Sequence, residues 1–450
     1  MRRPFTIASQ GFWPAFTMAL IMLVLPGESP AIAANLEGHG GPVKAIAISA
    51  DGRTALTGSF DYSMIHWRLD GDKPVIAHRY EDHDAAVNAV EFIPGTGRAI
   101  SGSDDGSLRI WNLETAQLIH RFTGHSHKVV DLAVSSDGRF AASAGWDATI
   151  RIWDLKALKP AGVLSGHRGN VNTLEFSTDG TILYSGGVDG TVRQWNVAQA
   201  VMLRTVHRHG WGVNVLRILP DQTRILFGAI DGTANVLDIA SGKIERTLAT
   251  HKGPVLSAVV SADHGLAASG GGDGKINVWS LNDWSVRKGH DNPYGPVWAL
   301  AMTANGHSLY YGSLDDFAIE WQMVPGRTFE KLAGRFPRRF QVDADVGPGE
   351  RQFARKCSIC HTLTPDGANR AGPTLYNLFG RRAGTLPGYI YSDALKNSDI
   401  IWNAETIGRL FGDGPQELVP GTKMPLQRMT STEERDALIT FLEKATRAKP

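Results

Sequence analysis

The feature that most constrains this chain is a repeat. An aspartate returns at Asp61, Asp105, Asp147, Asp189, Asp231, Asp273 and Asp315, one step of 44 residues followed by five of 42. Six residues after each stands Trp67, Trp111, Trp153, Trp195, Leu237, Trp279 or Trp321. Twenty-two residues before the first six lie His39, His83, His125, His167, His209 and His251, and the seventh, His290, is displaced to 25 before Asp315. A unit of this length cannot bury its apolar face alone and must stack on its neighbours. Between the markers run short alternating segments such as Val87-Asn88-Ala89-Val90-Glu91-Phe92, bounded by Asp-Gly turns, which read as antiparallel strands, four per repeat. Seven such units predict an all-β ring of seven blades. The 50 glycines in 450 residues suit so many turns, and 42% hydrophobic residues exclude wholesale disorder. The repeating His and Asp are not one metal site, because the period sends them to different blades.

The Gly-His, the turn Asp and the Trp followed by Asp or Asn (Trp111-Asn112, Trp153-Asp154, Trp195-Asn196) resemble the WD-repeat family. The resemblance implies a buried tetrad in each blade: His, turn Asp, Trp and a second-strand hydroxyl, here Thr57, Ser101, Ser143, Ser185 and Ser269. Blade 5 departs with Phe227 and Leu237, and blade 7 with Tyr311 and the displaced His, so both should be looser. Phe329 to Gly334 falls in frame with the outer strand of other repeats, so blade 7 is expected to supply most of its own fourth strand. The resemblance also puts the residue before each turn Asp on the top face, where relatives commonly bind partners. These residues are Phe60, Asp104, Trp146, Val188, Ile230, Gly272 and Leu314. The five large apolar ones, Phe60, Trp146, Val188, Ile230 and Leu314, form a candidate partner surface, with packing against neighbouring loops as the alternative.

Arg2 and Arg3 precede an apolar run from Ala15 to Leu25, then Pro26-Gly27 and Ala31-Ile32-Ala33. That order is expected of a secretory signal cleaved near residue 33, which places the mature protein in the periplasm with no membrane span. The domain reading is therefore 1–33 signal, 34–334 propeller, 335–346 linker around Pro337, and 347–450 a second domain. With 46 basic against 45 acidic residues the chain has no field to draw nucleic acid.

Both cysteines of the chain stand in Cys357-Ser358-Ile359-Cys360-His361, which reads as a c-type haem attachment site, two thiols for two vinyl groups and a His for the iron. A zinc half-site lacks a second Cys pair, and a thioredoxin-like pair lacks its βαβ setting. A helix from Pro348 to Lys356 should pack on a C-terminal one opened by the capping box Ser431-x-x-Glu434. With Pro420-Gly421-Thr422-Lys423-Met424-Pro425, Gly372-Pro373-Thr374-Leu375, Asn377 to Arg381, Tyr391-Ser392-Asp393-Ala394 and Trp402, residues 347–450 resemble the all-α class I cytochrome c domain. The resemblance implies one covalent haem c on Cys357 and Cys360 and axial ligands His361 and Met424. It also implies a Pro373 carbonyl orienting His361, Arg381, Tyr391 and Trp402 at a haem propionate, and Thr422 steadying the Met loop. Phe411 stands where relatives have a tyrosine bonded to the Met sulfur. Lys356 and Lys423 flank the reactive edge and could steer an acidic redox partner, although 14 basic and 13 acidic residues over 343–450 make the steering weak.

The expected function is one-electron transfer, with the propeller docking a partner protein or the chain's own cytochrome domain. Two rivals stay open: an enzyme whose substrate binds in the propeller and reduces the haem, which would need convergent His and carboxylates in the central channel, and a haem redox sensor or scaffold.

Overall fold

The computed structural model describes residues 34–324 and 346–447, apart from 72, 249–250, 294, 359, 366–371, 390, 420–421, 423, 425–428 and 430. The expected signal segment, the linker up to residue 345 and Lys423 lie outside the described residues.

Residues 36–322 form seven four-stranded antiparallel sheets arranged as a closed ring, so the predicted seven-bladed propeller is what the chain adopts. In blade 1 the strands run Val43–Ile48, Thr54–Ser59, Met64–Arg68 and Val75–Tyr80 from the axis outward, and the next five blades repeat the order. Second strands are buried on both faces, which is why they read as small and apolar rather than alternating. Each blade packs face to face on the next, and the contact leaves no room for a side chain at one position. A Cβ on Gly58 would lie 2.8 Å from Val87, and one on Gly186 would lie 2.5 Å from Val213. Much of the glycine content serves this close approach.

Ring closure departs from expectation. The outer place in blade 7 is taken by Leu36–Glu37, which pair with Ala318 and Phe317. Two residues suffice because Leu36 is fully buried with Trp67, Ala318 and Tyr310, and because Glu320 is tied to the two residues that precede the strand. Its carboxylate accepts from Ala34 N (2.7 Å), and its own N–H donates to Asn35 Oδ1 (3.2 Å). The segment 329–334, expected to do this work, lies outside the described residues.

The second domain is helical: α1 (Pro348–Lys356), α2 (Asp393–Lys396), α3 (Ala404–Gly412), α4 (Pro415–Leu418) and α5 (Thr432–Ala445). As expected, α1 and α5 pack together. A Cβ on Gly349 would lie 2.1 Å from the Ala437 carbonyl oxygen, and the Phe353 and Phe441 rings are 5.6 Å apart. Ser431 Oγ accepts from Glu434 N at 3.2 Å, one of the two bonds of the expected capping box, and caps α5. A full capping box at α3, Asn403 with Thr406, was not foreseen.

Candidate functional site

The tetrads assemble in the four best-matched blades. In blade 1, Thr57 Oγ1 bridges His39 Nε2 (2.7 Å) and Trp67 Nε1 (2.8 Å), while His39 Nδ1 meets Asp61 at 3.0 Å. The same bridge is made by Ser101, Ser143 and Ser185. Burial alone would raise the Asp61 carboxyl, but His39, Ser63 and Arg79 outweigh it and hold it well below the usual range. Blade 6 keeps His251, Ser269 and Asp273. In blade 5 the His209–Asp231 pair is more open, its side chains 11% and 22% exposed, and in blade 7 His290 turns instead to the Tyr311 hydroxyl at 3.2 Å. The repeating residues are framework, and their bonds fix the turns of the top face.

On that face the predicted ring is only partly a free surface. Trp146, Val188 and Ile230 are exposed (39%, 42% and 39%), whereas Phe60 and Leu314 are half-buried, so the packing alternative holds for those two. Phe60 lies 5.8 Å from Trp298, and Lys44 Nζ sits 4.4 Å from the centre of the Trp298 ring. Asp104 pairs with Lys128 at 2.5 Å, and Lys128 in turn lies 5.4 Å from the Trp146 ring. The most exposed aromatic nearby, Trp211 at 60%, sits in an inter-strand loop at no repeating marker position and so gave no signal in the sequence.

The seven innermost strands line a channel, and three carboxylates gather there around Arg217. Burial pushes Glu91 up to about 8 and Glu175 up to about 7, and Asp131 is raised for the same reason. Two of the three are pins between blades: Asp131 accepts from Leu174 N (2.9 Å) and Glu175 from Ile218 N (3.0 Å). No histidine joins them in these contacts, and among the described residues no three His, Cys, Asp or Glu side chains could hold a metal ion.

The chemistry collects in a cavity of the helical domain, about 1200 Å³ counting the open solvent at its mouth. Its lining brings together Lys356, Cys357, Cys360, His361, Pro373, Arg381, Tyr391, Trp402, Thr422 and Met424, so the predicted residues converge from across 69 positions of sequence. The end of α1 continues as a turn, with Cys360 N and His361 N both donating to Cys357 O (3.0 and 2.9 Å), which delivers the two thiols and the imidazole together. His361 Nδ1 donates to Pro373 O at 2.8 Å. That leaves Nε2 for a metal, the arrangement that fixes the tautomer of an iron-bound His. Gly372 makes the approach possible, since a Cβ there would stand 2.5 Å from the imidazole.

Met424 lines the cavity and its N–H donates to Thr422 Oγ1 at 3.3 Å, whereas Met429 is buried away from the cavity in the helical core. Phe411 and its neighbour Leu410 both face the cavity, so α3 offers no hydroxyl from either position. Arg381 donates to the carbonyls of Tyr376 (2.9 Å) and Thr374 (2.8 Å). Among the described residues it has no carboxylate partner, and a guanidinium carries five N–H donors, so capacity remains for a propionate. As free thiols, Cys357 and Cys360 are pushed up to about 12 and about 11 by burial, a sign of how dry the site is. An apolar slot with two thiols on one edge, a pre-oriented imidazole, a thioether and a carboxylate-free arginine fits haem. One lining residue comes from the propeller: Tyr62, in the top turn of blade 1.

Comparison with known proteins gives the same division. The family model "WD domain, G-beta repeat" matches residues 31–68, 75–112, 116–154, 158–196 and 242–280, passing over the two degenerate blades. The "Cytochrome c" model matches 346–446. Over 103 residues the chain is 37% identical to cytochrome c of Gibberella zeae, covering 96% of that protein and 23% of this one. It is 41% identical to cytochrome c of Sesamum indicum over 102 residues, 91% of that protein and 23% of this one. It is 38% identical to cytochrome c2 of Blastochloris viridis over 100 residues, 77% of that protein and 22% of this one.

Proposed function

The chain belongs to the cytochrome c family through its C-terminal domain and carries haem c covalently there; on that premise we propose that it is a periplasmic one-electron carrier, ligated by His361 and Met424, whose propeller docks it to its partners. Bound haem supplies an iron that alternates between Fe(II) and Fe(III), at a comparatively high potential when its ligands are His and Met. Everything else is done by the chain. Cys357 and Cys360 hold the group, Pro373 aims His361, Thr422 supports the Met424 backbone, and Arg381 with Tyr391 and Trp402 neutralises and orders the polar end. Apolar walls from Leu375, Leu378, Phe411 and Leu442 keep water out and limit the reorganisation that accompanies a change of charge.

The observation that carries the reading is the 2.8 Å bond from His361 Nδ1 to Pro373 O inside a cavity that Met424 also lines. With His361 and Met424 both bound to it, iron would keep no position open for substrate, which favours carrying over catalysis. The pinned channel carboxylates support the same preference over a propeller-based oxidoreductase. Export is supported by the charged, apolar and small-residue order of residues 1–33. Lys356 at the cavity mouth offers one cation to an acidic partner.

The test is spectroscopic. The purified holoprotein should hold one low-spin six-coordinate haem per chain, and ready binding of carbon monoxide at neutral pH would refute the ligand assignment. A chain lacking residues 1–33 should accumulate without haem in the cytoplasm. Full haem loading there would overturn the export reading.

A further inference from the structure

Tyr62 occupies a position its counterparts avoid. The residue after the turn aspartate has positive φ in each of the first six blades: 69° at Tyr62, 74° at Gly106, 64° at Ala148, 70° at Gly190, 89° at Gly232 and 80° at Gly274. Four of these are glycine and one is alanine, as the left-handed region favours. A bulky aromatic is disfavoured there, and an outlier of this kind asks for a compensating interaction.

Within blade 1 the turn is closed by Tyr62 N donating to Ser59 O at 3.2 Å, and the side chain reaches beyond the blade. The Tyr62 ring lines the haem-domain cavity beside Cys360 and Tyr389. Its hydroxyl is raised above the usual tyrosine range, by burial first and then by Cys360 and Asp104, and Tyr389 is raised by burial and then by Tyr62. On the cytochrome side Tyr389 is packed edge-on against Tyr391, 4.7 Å between ring centres. The propeller side is equally built. Asp61 and Ser63, the two neighbours of Tyr62 in the turn, are tied to His39, Arg79 and each other, so the turn is held rigidly. Asp104, whose charge acts on the Tyr62 hydroxyl, pairs with Lys128, which in turn lies 5.4 Å from the exposed Trp146 ring.

We infer that the propeller's resting partner is this chain's own cytochrome domain: the top turn of blade 1, with Tyr62 at its apex, covers the mouth of the haem cavity beside Cys360, and a redox protein reaches that mouth only when the contact opens. The inference rests on the carrier reading, and it deepens that reading by making docking of an external protein and opening of the chain a single competition for one surface. Asp104, Lys128 and Trp146 lie beside the contact, so a protein seated on the exposed crescent is placed to displace it.

The test uses the full-length holoprotein and its Tyr62→Asn variant, because asparagine tolerates positive φ while removing the ring. X-ray scattering reads the separation of the domains, and hydrogen exchange reads the amides of 60–63 and 384–392. Oxidation by ferricyanide and by an oxidised blue copper protein reads access. If about nine molecules in ten are closed, Tyr62→Asn should raise the radius of gyration. It should also speed exchange in 384–392 and oxidation by the copper protein about tenfold, with the ferricyanide rate changed less than about twofold. Tyr62→Phe should stay closed. An unchanged radius and unchanged exchange in Tyr62→Asn would overturn the inference. If that variant loosens blade 1 itself, seen as faster exchange over 43–68, Tyr389→Ser asks the same question from the other side, and unchanged exchange at 60–63 there would overturn it. The haem spectrum and reversible one-electron titration of each variant report the carrier reading separately from the scattering.

Discussion

Thr57→Val tests whether the tetrads hold the ring and its top turns. The substitution keeps the branched shape and removes only the hydroxyl, so it leaves almost no cavity and isolates the polar contribution. Thr57 Oγ1 serves two buried groups, His39 Nε2 at 2.7 Å and Trp67 Nε1 at 2.8 Å, and Thr57 and Trp67 are 0% and 1% exposed. No water can replace a hydroxyl in the space of a methyl group, so both nitrogens lose their partner. A buried donor or acceptor left unmade costs about 1–3 kcal/mol. Two of them sharing one oxygen should cost about 2–5 kcal/mol. Urea unfolding of the full-length protein, followed by far-ultraviolet circular dichroism in the β region, should show the loss as a lower midpoint at unchanged slope. Asp231→Asn in blade 5 is the control, because its pair is part-exposed and Phe227 already stands in place of the hydroxyl; it should cost below about 1 kcal/mol. A Thr57→Val loss no larger than the control's would refute the claim that the tetrads carry this stability.

Three further outcomes are expected. Met424→Ala should retain covalent haem but lose the far-red Met-to-iron absorption band and begin to bind added imidazole, whereas Met429→Leu, a change within the helical core, should keep the band. Folding raises the Glu91 carboxyl from its usual 4.5 to about 8, so its protonated form favours the native state below pH 4.5 and that contribution is lost as pH rises through about 8. Glu91→Gln should therefore gain stability relative to the parent progressively between those values, and a difference that is flat from pH 4 to 9 would contradict the burial argument. Trp146→Ala should leave the haem spectrum and propeller stability nearly unchanged while weakening capture of a redox partner, and a large stability loss with unchanged association would mark Trp146 as packing.

The propeller was legible because its markers repeat at a fixed period, and the framework bonds of Thr57, Ser101, Ser143 and Ser185 form where the spacing put them. The open pair of blade 5 followed from sequence, since Phe227 and Leu237 cannot close a tetrad and His209 and Asp231 are correspondingly more exposed, whereas the loosening expected of blade 7 does not appear at Tyr311 and Asp315, which are buried. Ring closure was misread because strand length was judged by count. Leu36–Glu37 is too short to signal a strand, yet one fully buried leucine and the bonds to Glu320 hold it in place. Local pattern cannot reveal a pairing that spans more than 280 residues of chain.

The haem cavity was legible for a different reason. Each of its parts is a short motif whose chemistry is specific to one task, so Cys357, Cys360, His361, Pro373 and Met424 could be assigned before their distances were known. What the sequence concealed is the contribution from the other domain. The clue was present in Asp61-Tyr62, where Gly follows the turn aspartate in four other blades, but in a repeat that tolerates Leu237 for Trp and Phe227 for Ser one more departure reads as drift. Only backbone conformation separates the two meanings. A residue substituted where φ is ordinary costs little and signals nothing, whereas a tyrosine held at +69° opposes its own steric preference and so points to an interaction made elsewhere. The structure supplies that interaction at the mouth of the haem cavity, and it makes departure from the repeat, rather than agreement with it, the place where the framework meets the chemistry.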